Sequence, residues 1–167
     1  ITRETEAGNI PHCRAVAAPK IFHDEIITTL AKIILGSYRP NHPDLIIIGE
    51  NDKAPNIDAC REMISEISLK PMEAQKRFGV IMCADKLLKP AANSLLKLAE
   101  EPPAHAFLLF VMEDGRFFLP TLKSRSRYSV INVQANFEVY SMPRNSFEWI
   151  EWLSSSRKKD AEGLAKD

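Results

Sequence analysis

Residues Phe78–Ser126 read FGVIMCADKLLKPAANSLLKLAEEPPAHAFLLFVMEDGRFFLPTLKSRS, and this stretch decides the fold. Phe78–Cys83 is a solid apolar run of strand length, as in a strand buried on both faces. Pro90 then falls at the start of a helix, where its missing N–H removes no hydrogen bond. The helix carries Ala91-Ala92-Asn93-Ser94-Leu95-Leu96-Lys97 and stops at Glu100-Glu101-Pro102-Pro103, because proline restrains the residue before it and cannot continue the ladder. The adjacent Glu100 and Glu101 read as a helix terminus, not as a catalytic carboxylate pair. Phe107–Met112 is a second buried strand, and the stretch closes on Ser124-Arg125-Ser126.

The same alternation continues outward. His12–Ala17 predicts a short buried strand, and Asp44–Gly49 (DLIIIG) a β-branched strand covered on both faces. Between them Ile26, Ile27, Leu30, Ile33 and Ile34 recur at helical spacing, with Gly36 as the stop. Asn56 offers an N-cap for a helix lined by Ile57, Cys60, Ile64 and Ile67, ending near Leu69-Lys70-Pro71. Tyr128–Val133 is a shorter strand. Strands alternating with helices predict an α/β fold, a three-layer sandwich around a mostly parallel, doubly wound sheet. Past Asn136 the pattern changes. Phe147, Trp149, Ile150, Trp152 and Leu153 suit one amphipathic helix, followed by a polar tail from Ser154. The expected division is an α/β domain over 1–136 and a helical segment with its tail over 137–167.

Lys+Arg and Asp+Glu are equal at 22 each, which argues against a domain that grips nucleic acid by bulk charge. Three cysteines, Cys13, Cys60 and Cys83, show no CxxC pairing and read as small buried residues in a reducing compartment. The four histidines (His12, His23, His42, His105) have no metal-ligand spacing, so no metal site is assigned. No apolar run approaches the ~18 residues of a membrane span. The expectation is a cytoplasmic protein, monomeric when isolated, with no membrane partner and no cofactor.

The order and spacing of AANSLLK, EEPP and PTLKSRS resemble the bacterial clamp-loader subunits of DNA polymerase III, the gamma/tau and delta prime family. Flanking agreement includes His42-Pro43-Asp44-Leu45, the IDACREMISEISLKP helix (Ile57–Pro71) and FEWIEWLSSS (Phe147–Ser156), which resembles the opening of the family's lid. The resemblance covers about residues 10–155. It implies an AAA+ P-loop-NTPase-like domain followed by the start of a small helical lid. It also implies gamma/tau-type ATPase subunits and a delta subunit as partners, with the sliding clamp and primed DNA as indirect ones.

Three positions depart from an active member of that family. A phosphate loop needs glycine-rich backbone and a Lys. Here Ala17-Ala18-Pro19-Lys20-Ile21-Phe22-His23-Asp24 holds no glycine, and His23 and Asp24 stand roughly where the Lys and Ser/Thr belong. Lys20 lies too early, and a solvated side chain is its simpler reading. The acidic tetrad that would hold Mg²⁺ and orient water matches Met82-Cys83-Ala84-Asp85, keeping only its last Asp. At the polar sensor position stand Met112 and Glu113. The family's four-Cys zinc module is missing too, since Leu35–Asn41 runs straight across its place. These departures point to the delta prime type.

What the resemblance leaves is Arg125. In the family's Ser-Arg-Cys motif the Arg reaches a neighbour's γ-phosphate, and Ser126 in place of Cys spares the guanidinium. Lys86, Lys89 and Lys97 read as a solvated charged face, and Arg157-Lys158-Lys159 as a charge run in the tail. Two other readings stay open: a nucleotide-binding ATPase with an atypical loop, and a purely structural AAA+-like module.

Overall fold

The computed structural model describes residues 12–50 and 52–131. Strand β1 (Cys13–Ala17) is followed by a 3₁₀ turn at Lys20–Phe22 and helix α1 (His23–Leu35). Then come β2 (Leu45–Ile48), α2 (Ile57–Ile67) and β3 (Arg77–Ile81). A second 3₁₀ turn at Ala84–Lys86 leads to α3 (Lys89–Glu100), β4 (Ala106–Met112), the short α4 (Pro120–Lys123) and β5 (Arg127–Val130). The expected boundary at 136, the lid segment and the tail lie outside the described residues.

The expected helix ends are realised by the expected chemistry. Gly36 closes α1 in the left-handed region at φ 78°, where a side chain would be strained. The Asn56 Oδ1 caps α2 by accepting the Ala59 amide at 2.8 Å. Pro90 sits in the first turn of α3. The four-residue α4 has no counterpart among the expected elements.

The five strands lie in the order β2-β3-β4-β1-β5, and each pairing is parallel. Helices α2, α3 and α4 cover one face, where Met63, Ile67, Leu95, Leu108, Phe110 and Leu122 join one core. Ile26, Leu30 and Ala31 of α1 are buried on the other, where α1 packs against β3. Gly79 in β3 allows α2 to come close, because a Cβ there would lie 2.3 Å from Met63 Cε and 2.7 Å from Ile67 Cδ1.

β3 and β4 are buried at every position, as a central parallel strand requires. β2 corrects the expectation for DLIIIG. It is an edge strand, and Ile47 is 43% exposed. β1 carries a second surprise. Arg14 is completely buried in a central strand, level with Arg127 of β5, and none of its three side-chain nitrogens has a hydrogen-bond partner. Burial, and then the charge of Arg127, lowers its pKa to about 10.

The strand order reverses at β1. The connection from β1 runs outward to β2, whereas that from β4 crosses β1 to reach β5. Ligands of open α/β sheets bind beyond the carboxyl ends of the strands at such a switch point.

Candidate functional site

The segment Ala17–Asp24 sits at that switch point, and the amides of Ala18, Phe22 and His23 are already engaged. The Ala18 amide donates to the Met112 carbonyl at 2.9 Å, tying β1 to the end of β4. Pro19 has no amide hydrogen. The Phe22 amide donates to Pro19 O at 2.9 Å, and that of His23 to Lys20 O, which winds the segment into a 3₁₀ turn instead of an open cradle. The buried His23 side chain locks it from beneath by donating from Nε2 to Ala18 O at 2.8 Å. That bond fixes the tautomer and leaves Nδ1 as a buried acceptor without a partner.

Lys20 already faces a carboxylate. Its ammonium pairs with Asp52 at 2.7 Å, which raises the Lys20 pKa and lowers that of Asp52, the shared hydrogen bond being the main cause in both. Beside the turn lies a cavity of about 260 Å³ with Asp24, Glu50, Tyr38 and Ile47 in its wall. Two carboxylates there oppose a polyphosphate.

Met82-Cys83-Ala84-Asp85 follows β3 at the same edge. Cys83 adopts a left-handed backbone at φ 50° and donates its thiol to Glu50 O at 3.1 Å. Burial raises its pKa, with Lys86 opposing, so it is a neutral thiol at neutral pH. The retained Asp85 accepts the Asp114 amide at 3.3 Å through Oδ2 and thereby holds the loop after β4, while its Oδ1 is buried without a partner. Met112 is fully buried and Glu113 exposed. The structure therefore brings the three expected positions together at one edge, joined by the Ala18–Met112 and Asp114–Asp85 hydrogen bonds.

Arg125 is at the opposite edge. It precedes β5 by two residues. Arg127 is level with Arg14, so three strand residues, about 10 Å, separate the start of β5 from the Ala17 level, and Arg125 lies before that start. Its setting is built by its neighbours. Ser124 Oγ donates to Thr121 O at 3.1 Å and the buried Ser126 Oγ to Leu122 O at 2.9 Å, so both serines close carbonyls of α4. The Arg125 amide donates to Leu122 O at 3.1 Å and its Nη1 to Thr121 O at 3.0 Å. Nε faces Glu100 Oε2 at 3.4 Å, with the Arg125 side chain 34% exposed.

A family model described as DNA polymerase III, delta subunit, matches residues 37–135, more than half of the chain. The chain belongs to this family. Within the wider clamp-loader group, the delta' subunit of Bacillus subtilis is 36% identical over 88 residues, covering 51% of this chain and 26% of that relative. The gamma/tau subunit of Mycobacterium tuberculosis is 31% identical over 94 residues, 55% of this chain and 16% of that protein. The delta' subunit of Buchnera aphidicola from Schizaphis graminum is 27% identical over 121 residues, 72% of this chain and 34% of its own length. The chain thus spans no more than about a third of these three relatives. A gamma subunit-related protein of Thermotoga maritima has the same fold, with a TM-score of 0.67 and 22% identity over 78% of this chain and 44% of that one. The fold and family expected from Phe78–Ser126 are borne out.

In this delta-family chain three side-chain contacts escaped the sequence reading. Asp44 of the HPDL segment is buried and accepts amides from Met72, Glu73 and Ala74 at 2.7, 2.8 and 2.8 Å. Burial alone would raise its pKa, but the three amides and Arg77 outweigh this and hold it low. His23 and Glu100 are the other two. Each finds its partner through the fold, and the sequence showed Glu100 only as a helix terminus. The three cysteines are free buried thiols, and burial raises the Cys13 pKa to about 12. Among the described residues no helix is long and apolar enough to cross a membrane.

Proposed function

We propose that this chain is a non-hydrolysing, delta prime-like clamp-loader subunit of DNA polymerase III that lends Arg125 to the ATP site of a neighbouring gamma/tau-type subunit. The observation that carries this reading is the placement of Arg125 at the edge of the sheet opposite the chain's own switch point. An arginine placed before the start of β5, more than about 10 Å below the Ala17 level, is suited to another molecule's phosphates, not this one's. The closed Ala17–Asp24 turn supports the other half of the proposal, since a cradle whose amides are bonded internally offers few donors to a phosphate. In this reading the delta subunit is a further partner. The sliding clamp and primed DNA are reached through the assembly, and the chain needs no cofactor of its own.

The test is a clamp loader reconstituted with a gamma/tau-type ATPase subunit. Arg125→Ala is expected to slow DNA-stimulated hydrolysis at the site it serves by on the order of 10³, with the complex still forming on size exclusion. An unchanged rate favours a purely structural module. Saturable, Mg²⁺-dependent ATP binding by the isolated chain in calorimetry would bring the atypical-ATPase reading forward.

A further inference from the structure

Arg125 is held by a hydrogen bond from Nη1 to the Thr121 carbonyl at 3.0 Å and by an ion pair that places Nε 3.4 Å from the Glu100 carboxylate. Nη2 donates no hydrogen bond among the described residues. The two anchors come from different elements, Thr121 from α4 and Glu100 from the last turn of α3. Backbone motion at Arg125 is limited by its own amide bond and by both flanking serines.

Stability does not explain the Glu100 contact. The two side chains are 34% and 58% exposed at 3.4 Å, a setting in which an ion pair contributes little to folding. A carboxylate is also misplaced at the C-terminal end of α3, where the helix dipole disfavours it. Its geometric effect is clear. A guanidinium is planar, so a hydrogen bond at Nη1 and a carboxylate facing Nε together favour one orientation of the plane and of Nη2. A donor held ready in this way needs little reorganisation when it meets transition-state charge.

We propose that Glu100 is a positioning residue for Arg125: with the Thr121 carbonyl it holds the guanidinium plane so that Nη2 projects toward the phosphates of a partner's nucleotide. This rests on the reading of Arg125 given above, and the experiment separates the two. In the reconstituted clamp loader, Glu100→Ala is expected to lower the partner's kcat about tenfold at unchanged KM for ATP. Glu100→Gln, which keeps an acceptor of the same reach, is expected to recover to within about threefold of the parent. Glu100→Ala added to Arg125→Ala is expected to cost nothing further, because the residue it positions is gone.

Each other outcome overturns a definite statement. If Arg125→Ala is silent, the arginine reading fails and the positioning role falls with it. If Arg125→Ala is slow and Glu100→Ala runs at the parent rate, positioning alone is wrong. An additive double variant would mean that Glu100 acts independently of Arg125. Loss of complex formation or of the thermal midpoint in Glu100→Ala would make the contact structural.

Discussion

At the carboxyl edge of the sheet, Ala18, Phe22 and His23 give their amides to carbonyls of the turn itself and of the neighbouring β4 end. At the amino edge, side-chain carboxylates do the organising: Asp44 gathers Met72, Glu73 and Ala74, and Glu100 faces Arg125. The same five strands thus separate a closed edge from one whose groups are held by ionised side chains. The difference teaches where chemistry can survive the loss of a phosphate loop. A turn that bonds to itself is stable and inert, whereas a charged side chain anchored by other side chains still presents a donor.

The sharpest way to break this contrast is at Asp44. Asp44→Ala leaves three loop amides without their acceptor and the buried Arg77 without its charge partner, which lies 3.8 Å away. The expected loss is about 3–5 kcal/mol, read as a drop in thermal midpoint. Its pH dependence has a definite sign. The folded pKa is depressed, so the stabilisation is complete above the unfolded value near 4 and fades as pH falls through the folded one. Midpoints measured from pH 6 downward should therefore fall more steeply in the parent than in Asp44→Asn. Parallel curves would remove Asp44 from the account of the amino edge.

Arg14, between the edges, sharpens the comparison from the other side. It is buried and charged yet carries no hydrogen bond, so Arg14→Met is expected to raise the midpoint by a few degrees. A fall would mean that the charge has a compensating role. The smallest effect belongs to the closed edge. Lys20→Ala breaks an exposed pair with Asp52 and should shift the midpoint by no more than about 1 °C. A large shift would show that this ion pair, not the backbone, keeps the turn closed.

The strands and long helices were legible because their apolar periods are long and are punctuated by Gly36, Asn56, Pro90 and Pro102. α4 was not, since four residues are too few to express a period. DLIIIG showed a strand but not its edge position, which follows from the order in which strands pair and not from its own residues. The site divided in the same way. The loss of glycine from Ala17–Asp24 and the retention of Arg125 were written in residue types at motif spacing. The His23 lock, the Asp44 cluster and the Glu100 anchor are meetings of side chains with distant backbone or charge. Arg14 was hidden for the opposite reason, since nothing in CRAVA says that its charge ends in the interior.

The closed turn after β1 has a last consequence. Nucleotide switches work because a loop has two states that bound and hydrolysed phosphates favour differently. Here the carbonyls that tighten the loop are Met112 O, Pro19 O and Lys20 O, and these are present at every stage of any cycle. On the function proposed above, this turn carries no clock of its own. Its shape would then follow covalent sequence and not the energy charge around it, and any rhythm would reach this domain through contact with neighbours.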